Sequence, residues 1–314
     1  MSSQRIMTPA AGPRMGGIAA TPSGVGMPTK STIVRTKRAP VPVRLRVLRA
    51  GFRAAGAVAP NSAAVVAEHL FRTPPRHPHP DRERAFLATG VRFDVELDRS
   101  RLAAWRWGSG PLVLLVHGWG GRAGQFASFV PALVRAGFSA VAFDAPGHGH
   151  SSGKRSSLPE FAAAARTVAQ ASGRCFAIVG HSMGAAAITL ALRDGAETTR
   201  ALFLAPSADP AAYVAQFARH LAIAPATVAA MRERICRRFH VTWNSFDVLS
   251  AARTMRIPLL IFHDWADAEV PETDGRAVAD AWPDSVFVST AGLNHRKILH
   301  YPEVVARSVQ WLSA

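Results

Sequence analysis

Gly180-His181-Ser182-Met183-Gly184 is preceded by Cys175-Phe176-Ala177-Ile178-Val179 and followed by an alanine-rich run that reaches Arg193. The first run is short and apolar, as a buried strand requires, and the second is made of helix formers. Between them, a glycine on each side of a serine permits a sharp strand-to-helix turn that thrusts the serine outward. Without that flanking context the same five residues would read as a tight turn with a serine cap. Strand before and helix after set the fold class, because that junction belongs to alternating βα architecture.

Working outward, Leu112–His117 is apolar enough for a strand covered on both faces. Gln125–Ala136 places Phe126, Phe129, Val130, Leu133 and Val134 at helical spacing, stopped by Gly137, and Ser139–Phe143 follows as a strand. The three form a βαβ unit. Ser157-Leu158-Pro159-Glu160 predicts a capping box on a helix ending near Gly173. Strands over Arg92–Glu96 and Leu102–Trp107 open the alternation. Ala201–Leu204, Pro258–His263 and Ser285–Thr290 continue it, and a helix over Glu303–Leu312 closes it. The expected architecture is α/β, a mostly parallel sheet of about eight strands with helices on both faces and a site at the C-terminal strand ends. Residues 207–256 exceed what one crossover helix needs. With Tyr213, Val214, Phe217, Ala218 and Leu221 on one face, and Phe239, Trp243 and Phe246 nearby, they are expected to form a small helical lid.

Four further motifs share one chain order with the serine. Val113-Leu114-Leu115-Val116-His117-Gly118-Trp119-Gly120-Gly121 and Phe143-Asp144-Ala145-Pro146-Gly147-His148-Gly149 come before it. His263-Asp264-Trp265-Ala266-Asp267-Ala268-Glu269-Val270-Pro271 and Gly292-Leu293-Asn294-His295 come after it. Together they resemble the motif series of the α/β-hydrolase superfamily, its esterase- and lipase-like serine hydrolases in particular, over roughly residues 85–314. The resemblance implies Ser182 as nucleophile, Asp267 as acid and His295 as base. It implies the amides of Trp119 and Met183 as the oxyanion hole. The chemistry explains each residue type. A serine hydroxyl needs a base near neutral pH, the imidazole must be held in one tautomer by a carboxylate, and the tetrahedral oxyanion needs fixed N–H donors. The implied activity is cleavage of carboxylic esters of small to medium apolar acyl groups through an acyl-enzyme, with no cofactor. The same residues would serve a thioesterase, an amide or carbon–carbon bond hydrolase, or an acyltransferase, and a non-catalytic binding protein could keep the fold.

Two assignments have rivals in the sequence. Asp264 lies three residues before Asp267, and the spacing to Val270-Pro271 favours Asp267 while leaving both open. His300 competes with His295, which is expected in the loop after a strand while His300 is expected at a helix start. His117, His148, His150 and His181 are expected to be structural, since none has the spacing and acidic partner of a zinc site; no metal is expected.

Of 37 basic residues, ten fall in residues 1–60, which contain none of the 21 acidic ones; the remaining 254 residues are mildly basic at +6 out of a total of +16. No nucleic-acid-binding signature accompanies this charge, so a nucleic-acid partner is not expected; the partner is a small acyl substrate. Residues 1–42 are rich in Gly, Pro, Ser and Ala without periodicity and are expected to be a disordered basic tail. Residues 43–80 are expected to hold two amphipathic helices, Asn61 capping the second, and a Pro-rich linker, and residues 81–314 the catalytic domain. The helices are expected to pack on that domain, with peripheral membrane contact through the basic N-terminus the less favoured alternative. No apolar run long enough for a transmembrane helix or secretory leader stands out, and two cysteines without redox spacing fit a reducing compartment; the expected location is cytoplasmic.

Overall fold

The computed structural model describes residues 42–98 and 100–314. The tail expected over residues 1–42 lies outside the described residues except for Pro42.

The chain enters through α1, Val43–Val58, and α2, Pro60–Phe71. Proline opens α2 in place of the expected Asn61 cap, because its missing N–H costs nothing in a first turn. The stretch 73–80 has no regular structure, as its prolines require, and a helix not expected from the sequence follows, α3 at Asp81–Leu87. Pro80 precedes it, and Asp81 and Glu83 sit in its first turn, where the helix dipole favours acids.

β1 (Val91–Leu97) and β2 (Ser100–Trp107) form an antiparallel pair, and β2 runs antiparallel to the strand Ser139–Phe143. β3 (Leu112–Val116) and β4 (Ser139–Phe143) are buried along their whole length. The single helix expected between them is divided into a 3-10 turn, Ala123–Phe126, and α4, Phe129–Arg135. Pro131 explains the break. A helix running from Gln125 would need its absent N–H and would meet its ring one turn back, whereas a restart at Phe129 leaves it in the first turn.

The alternation continues through α5 (Leu158–Ser172), β5 (Cys175–His181), α6 (Met183–Arg193) and β6 (Arg200–Leu204). A helical insert follows: α7 (Pro210–Leu221), α8 (Pro225–Phe239), a 3-10 turn at Trp243–Phe246, and α9 (Val248–Ala252). β7 (Leu259–Asp264), α10 (Glu272–Ala281), β8 (Ser285–Thr290), α11 (Asn294–Lys297) and α12 (Pro302–Ser313) complete the chain. The capping box takes another form from the one expected. The Ser157 hydroxyl donates to the Glu160 carboxylate at 2.6 Å instead of accepting its amide, because that carboxylate is drawn to Arg72.

The sheet has eight strands in the order β1-β2-β4-β3-β5-β6-β7-β8, with β3 through β8 all parallel. Strand alternation sends Leu114, Val116 and Ile178 to a core with Phe161 and Val168 of α5 and Trp282. Val113, Leu115 and Val179 go to the other face, against Phe126, Phe129, Leu133 and Leu312. A third cluster joins Phe52 of α1 and Ala64 and Ala67 of α2 to Val214, Met231, Ile235 and Phe246 of the insert. The apolar faces of α1 and α2 are therefore spent on the insert, not on the sheet. None of the helices among the described residues is long and apolar enough to cross a membrane.

Candidate active site

Ser182 stands between β5 and α6 with φ 54° and ψ −123°, a conformation that a non-glycine residue holds at a cost of order 1–3 kcal/mol. The surrounding glycines make that turn sterically feasible. A Cβ on Gly180 would lie 2.7 Å from Ala185 Cα, and one on Gly184 would lie 2.4 Å from the Val116 carbonyl oxygen. The Ser182 amide donates to the Leu204 carbonyl at 3.0 Å, which fixes the turn against β6.

The structure brings His295 and Asp267 together. His295 Nδ1 and Asp267 Oδ2 are 2.7 Å apart, and both side chains are buried. The other oxygen of Asp267 accepts the amides of Glu269 and Val270 at 2.8 and 3.0 Å. Burial opposes the charge on Asp267. The neighbouring imidazoles of His263 and His295 and the Val270 amide outweigh it and hold the carboxyl well below the usual carboxylate range. His263 Nε2 is 3.7 Å from Asp267, too far for a hydrogen bond, and donates instead to the Val270 carbonyl at 3.1 Å.

Asp264 sits elsewhere. Wholly buried at the end of β7, it accepts the Ala266 and Leu293 amides at 3.1 and 2.8 Å and the Thr290 hydroxyl at 3.2 Å, tying the loop that carries Asp267 to the one that leads into the His295 turn. His300 faces Ser128 in the turn before α12. Contrary to the loop expected for it, His295 lies within the single turn α11, and His300, not at a helix start, lies between α11 and α12. Asn294, at φ 52°, makes that turn, and its side chain caps it by accepting the Arg296 and Lys297 amides at 3.1 Å each.

His181 reaches across to this element, its Nε2 donating to the His295 carbonyl at 2.8 Å with the two rings 4.6 Å apart. The residue next to Ser182 thereby anchors the backbone of His295, a tie that no sequence spacing discloses. No hydrogen bond within 3.5 Å joins Ser182 Oγ to His295 Nε2 among the described residues; in unliganded sites such bonds are often long and tighten when substrate binds.

The loop after β3 lies against the serine, since a Cβ on Gly118 would come within 2.8 Å of Ser182 Cβ. Its shape is held by His148, whose Nε2 accepts the Gly120 amide at 3.0 Å while its Nδ1 donates to the Pro146 carbonyl at 2.9 Å. His117 is similarly engaged with the Ala145 amide and the Gly118 carbonyl. Burial pushes His148 down to about 4, His181 down to about 3 and His117 well below the ordinary range, so all three are neutral structural donors and acceptors near pH 7. The amides of Trp119 and Met183 donate to no protein acceptor among the described residues. Among those residues no cluster of His, Cys, Asp and Glu is arranged to hold a metal ion.

A cavity of about 710 Å³ opens beside Ser182, Met183 and Trp119. The insert supplies Tyr213, Phe217, Ile235, Trp243 and Phe246 to it. Leu70, Phe71 and Pro75, from α2 and the stretch after it, line it too, which local periodicity cannot signal because it reports only a buried face.

Residues 110–251 match the family model described as serine aminopeptidase, S33, a segment that contains Ser182 and ends before Asp267 and His295. A curated serine hydrolase-like protein of Danio rerio is 36% identical over 102 residues, which span 31% of this chain and 31% of that one. Solved structures superpose along nearly their whole length. An esterase of Pyrococcus furiosus matches with TM-score 0.59 and 19% identity over 76% of this chain and 98% of its own. An esterase of a Rhodococcus species matches at 0.55 and 19% over 72% and 99%. A bromoperoxidase of Bacillus anthracis matches at 0.55 and 16% over 71% and 99%. The chain has the α/β-hydrolase fold. In this fold the serine lies at the β5–α6 junction, and the Asp267–His295 pair joins the loop after β7 to α11, which follows β8.

Proposed function

We propose that the protein is a serine hydrolase that cleaves carboxylic esters of small to medium apolar acyl groups through an acyl-enzyme. The observation that carries this reading is the 2.7 Å bond between His295 Nδ1 and Asp267, carried on an element whose backbone is anchored by the residue adjoining the strained Ser182. Asp267, ionised and acceptor-only, fixes the imidazole with its proton on Nδ1, leaving Nε2 as the base. In the first half-reaction Ser182 Oγ attacks the ester carbonyl and His295 Nε2 takes its proton. The tetrahedral oxyanion is received by the Trp119 and Met183 amides, which donate to no protein acceptor among the described residues, each worth about 3–4 kcal/mol of transition-state stabilisation. Collapse expels the alcohol, which leaves with the proton from His295. Water, deprotonated by His295, then attacks the acyl-enzyme and releases the acid. The apolar cavity beside Ser182 accommodates the acyl group, and its volume of about 710 Å³ falls in the range of small-molecule sites.

The test is a panel of matched esters, thioesters and amides bearing the same butyryl group, assayed on pure protein. Highest kcat/KM on the ester supports the reading; turnover confined to the amide or thioester replaces the substrate class while keeping the mechanism.

A further inference from the structure

The α1–α2 arm is built into the wall of the candidate substrate cavity and is not a separate appendage. Glu68 of α2 is buried at 3% exposure, and its carboxylate accepts Arg238 Nε at 2.7 Å and Arg234 Nε at 3.0 Å from α8 of the insert. Burial opposes that charge, but Arg238 and Arg234 more than offset it and lower the Glu68 carboxyl. Arg72, one turn on, donates Nη2 to both oxygens of Glu160 on α5, at 3.0 and 3.1 Å, while its carbonyl accepts the Ser156 amide at 2.7 Å. The C-terminal end of α2 is thus pinned to the insert on one side and to the sheet-bearing body on the other. Between those two anchors lie Leu70 and Phe71. Both line the cavity that holds Ser182, and the Phe71 ring meets Phe217 of α7 edge-on at 5.1 Å. Farther along, Pro75 rests on the backbone beside Trp119, its Cγ 2.9 Å from where a Cβ on Gly120 would stand.

Building on the esterase reading, we infer that the end of α2, Phe71 above all, is a specificity element that sets the length of aliphatic acyl chain the Ser182 cavity accepts. The Arg72–Glu160 and Glu68–Arg238 pairs act through it as positioning contacts. A cavity with one wall taken from a segment outside the sheet-and-insert body changes depth when that wall changes. Each methylene that gains or loses an apolar wall is worth about a fourfold change in kcat/KM.

The experiment is the profile of kcat/KM against acyl length for p-nitrophenyl esters from acetate to dodecanoate, measured on the full chain. Phe71→Ala should move the peak to longer chains by about two carbons, and Phe71→Trp should lower the octanoate-to-acetate ratio by about fivefold or more. The two substitutions change the volume in opposite directions, so loss of folding in one leaves the other informative. Val65→Ala, at an exposed position on the same helix, should keep the wild-type profile. Wild-type profiles in both Phe71 variants would overturn the inference while leaving the esterase reading intact. A wild-type protein that turns over none of the esters would overturn both.

Discussion

Ser182 is held at φ 54°, and the strain has no partner that would disappear with the hydroxyl, so it outlasts removal of the side-chain oxygen. Ser182→Gly should therefore be more stable than Ser182→Ala by about 1 kcal/mol, because only glycine adopts that backbone without a Cβ penalty. Thermal melts of the two variants check this, and equal midpoints would mean that the turn is relaxed. The proposed acid is equally specific to its position. Asp267→Asn removes the acceptor-only partner of His295 Nδ1 and should lower kcat by about ten-thousandfold by favouring the wrong imidazole tautomer. Asp264→Asn loosens two loops through the Leu293 and Ala266 amides and should cost mainly stability, about 1–3 kcal/mol. Paired kinetics and melts on both variants check the division. If the kinetic losses came out reversed, Asp264 would be the acid and the class of enzyme would stand. Sequence spacing pointed to Asp267 over Asp264, but it could not say what Asp264 does, because a buried carboxylate that accepts loop amides leaves no periodic trace.

At the scale of elements, the loops around the sheet's C-terminal edge are fastened by neutral histidines. His148 and His181 are pushed to about 4 and about 3 by burial, against 6.5 in an unfolded chain. Between those values the unfolded chain binds more protons than the folded one, so stability is fully present above pH 6.5 and is lost as pH falls toward 4. His148→Asn should flatten the dependence of unfolding free energy on pH between 6 and 5 by about 1 kcal/mol per pH unit. Denaturant titrations at the two pH values would detect this, and an unchanged slope would mean that His148 is charged in the fold. The sequence marked these histidines as structural because none has the spacing and acidic partner of a zinc site. Their partners were hidden, since the Gly120 amide and the Pro146 carbonyl meet the ring only after the chain has folded. Strands and helices were legible because apolar periodicity is local. The departures came where one residue overruled it: Pro131 divided a helix, and Arg72, 88 residues away from Glu160, drew that carboxylate off its capping role.

Across the whole molecule, the arm and the insert share one apolar core, in which Phe52, Ala64 and Ala67 meet Val214, Met231 and Phe246. A chain beginning at Asp81 strips that cover and should melt well below the full chain, whereas one beginning at Ala39 keeps all of α1 and should melt with it. Phe52→Ala is expected to cost about 3 kcal/mol by leaving a cavity between α1 and the insert. Equal melting of the full chain and the one beginning at Asp81 would detach the arm from the fold. In the proposed mechanism Ser182 is a nucleophile activated by His295. The most direct measurement is labelling of the intact protein with a fluorophosphonate probe, followed by peptide mapping of the adduct. One adduct per chain is expected on the peptide carrying Ser182, absent in Ser182→Ala and slowed by orders of magnitude in His295→Ala. An unlabelled wild-type protein, or an adduct that persists undiminished in Ser182→Ala, would contradict it.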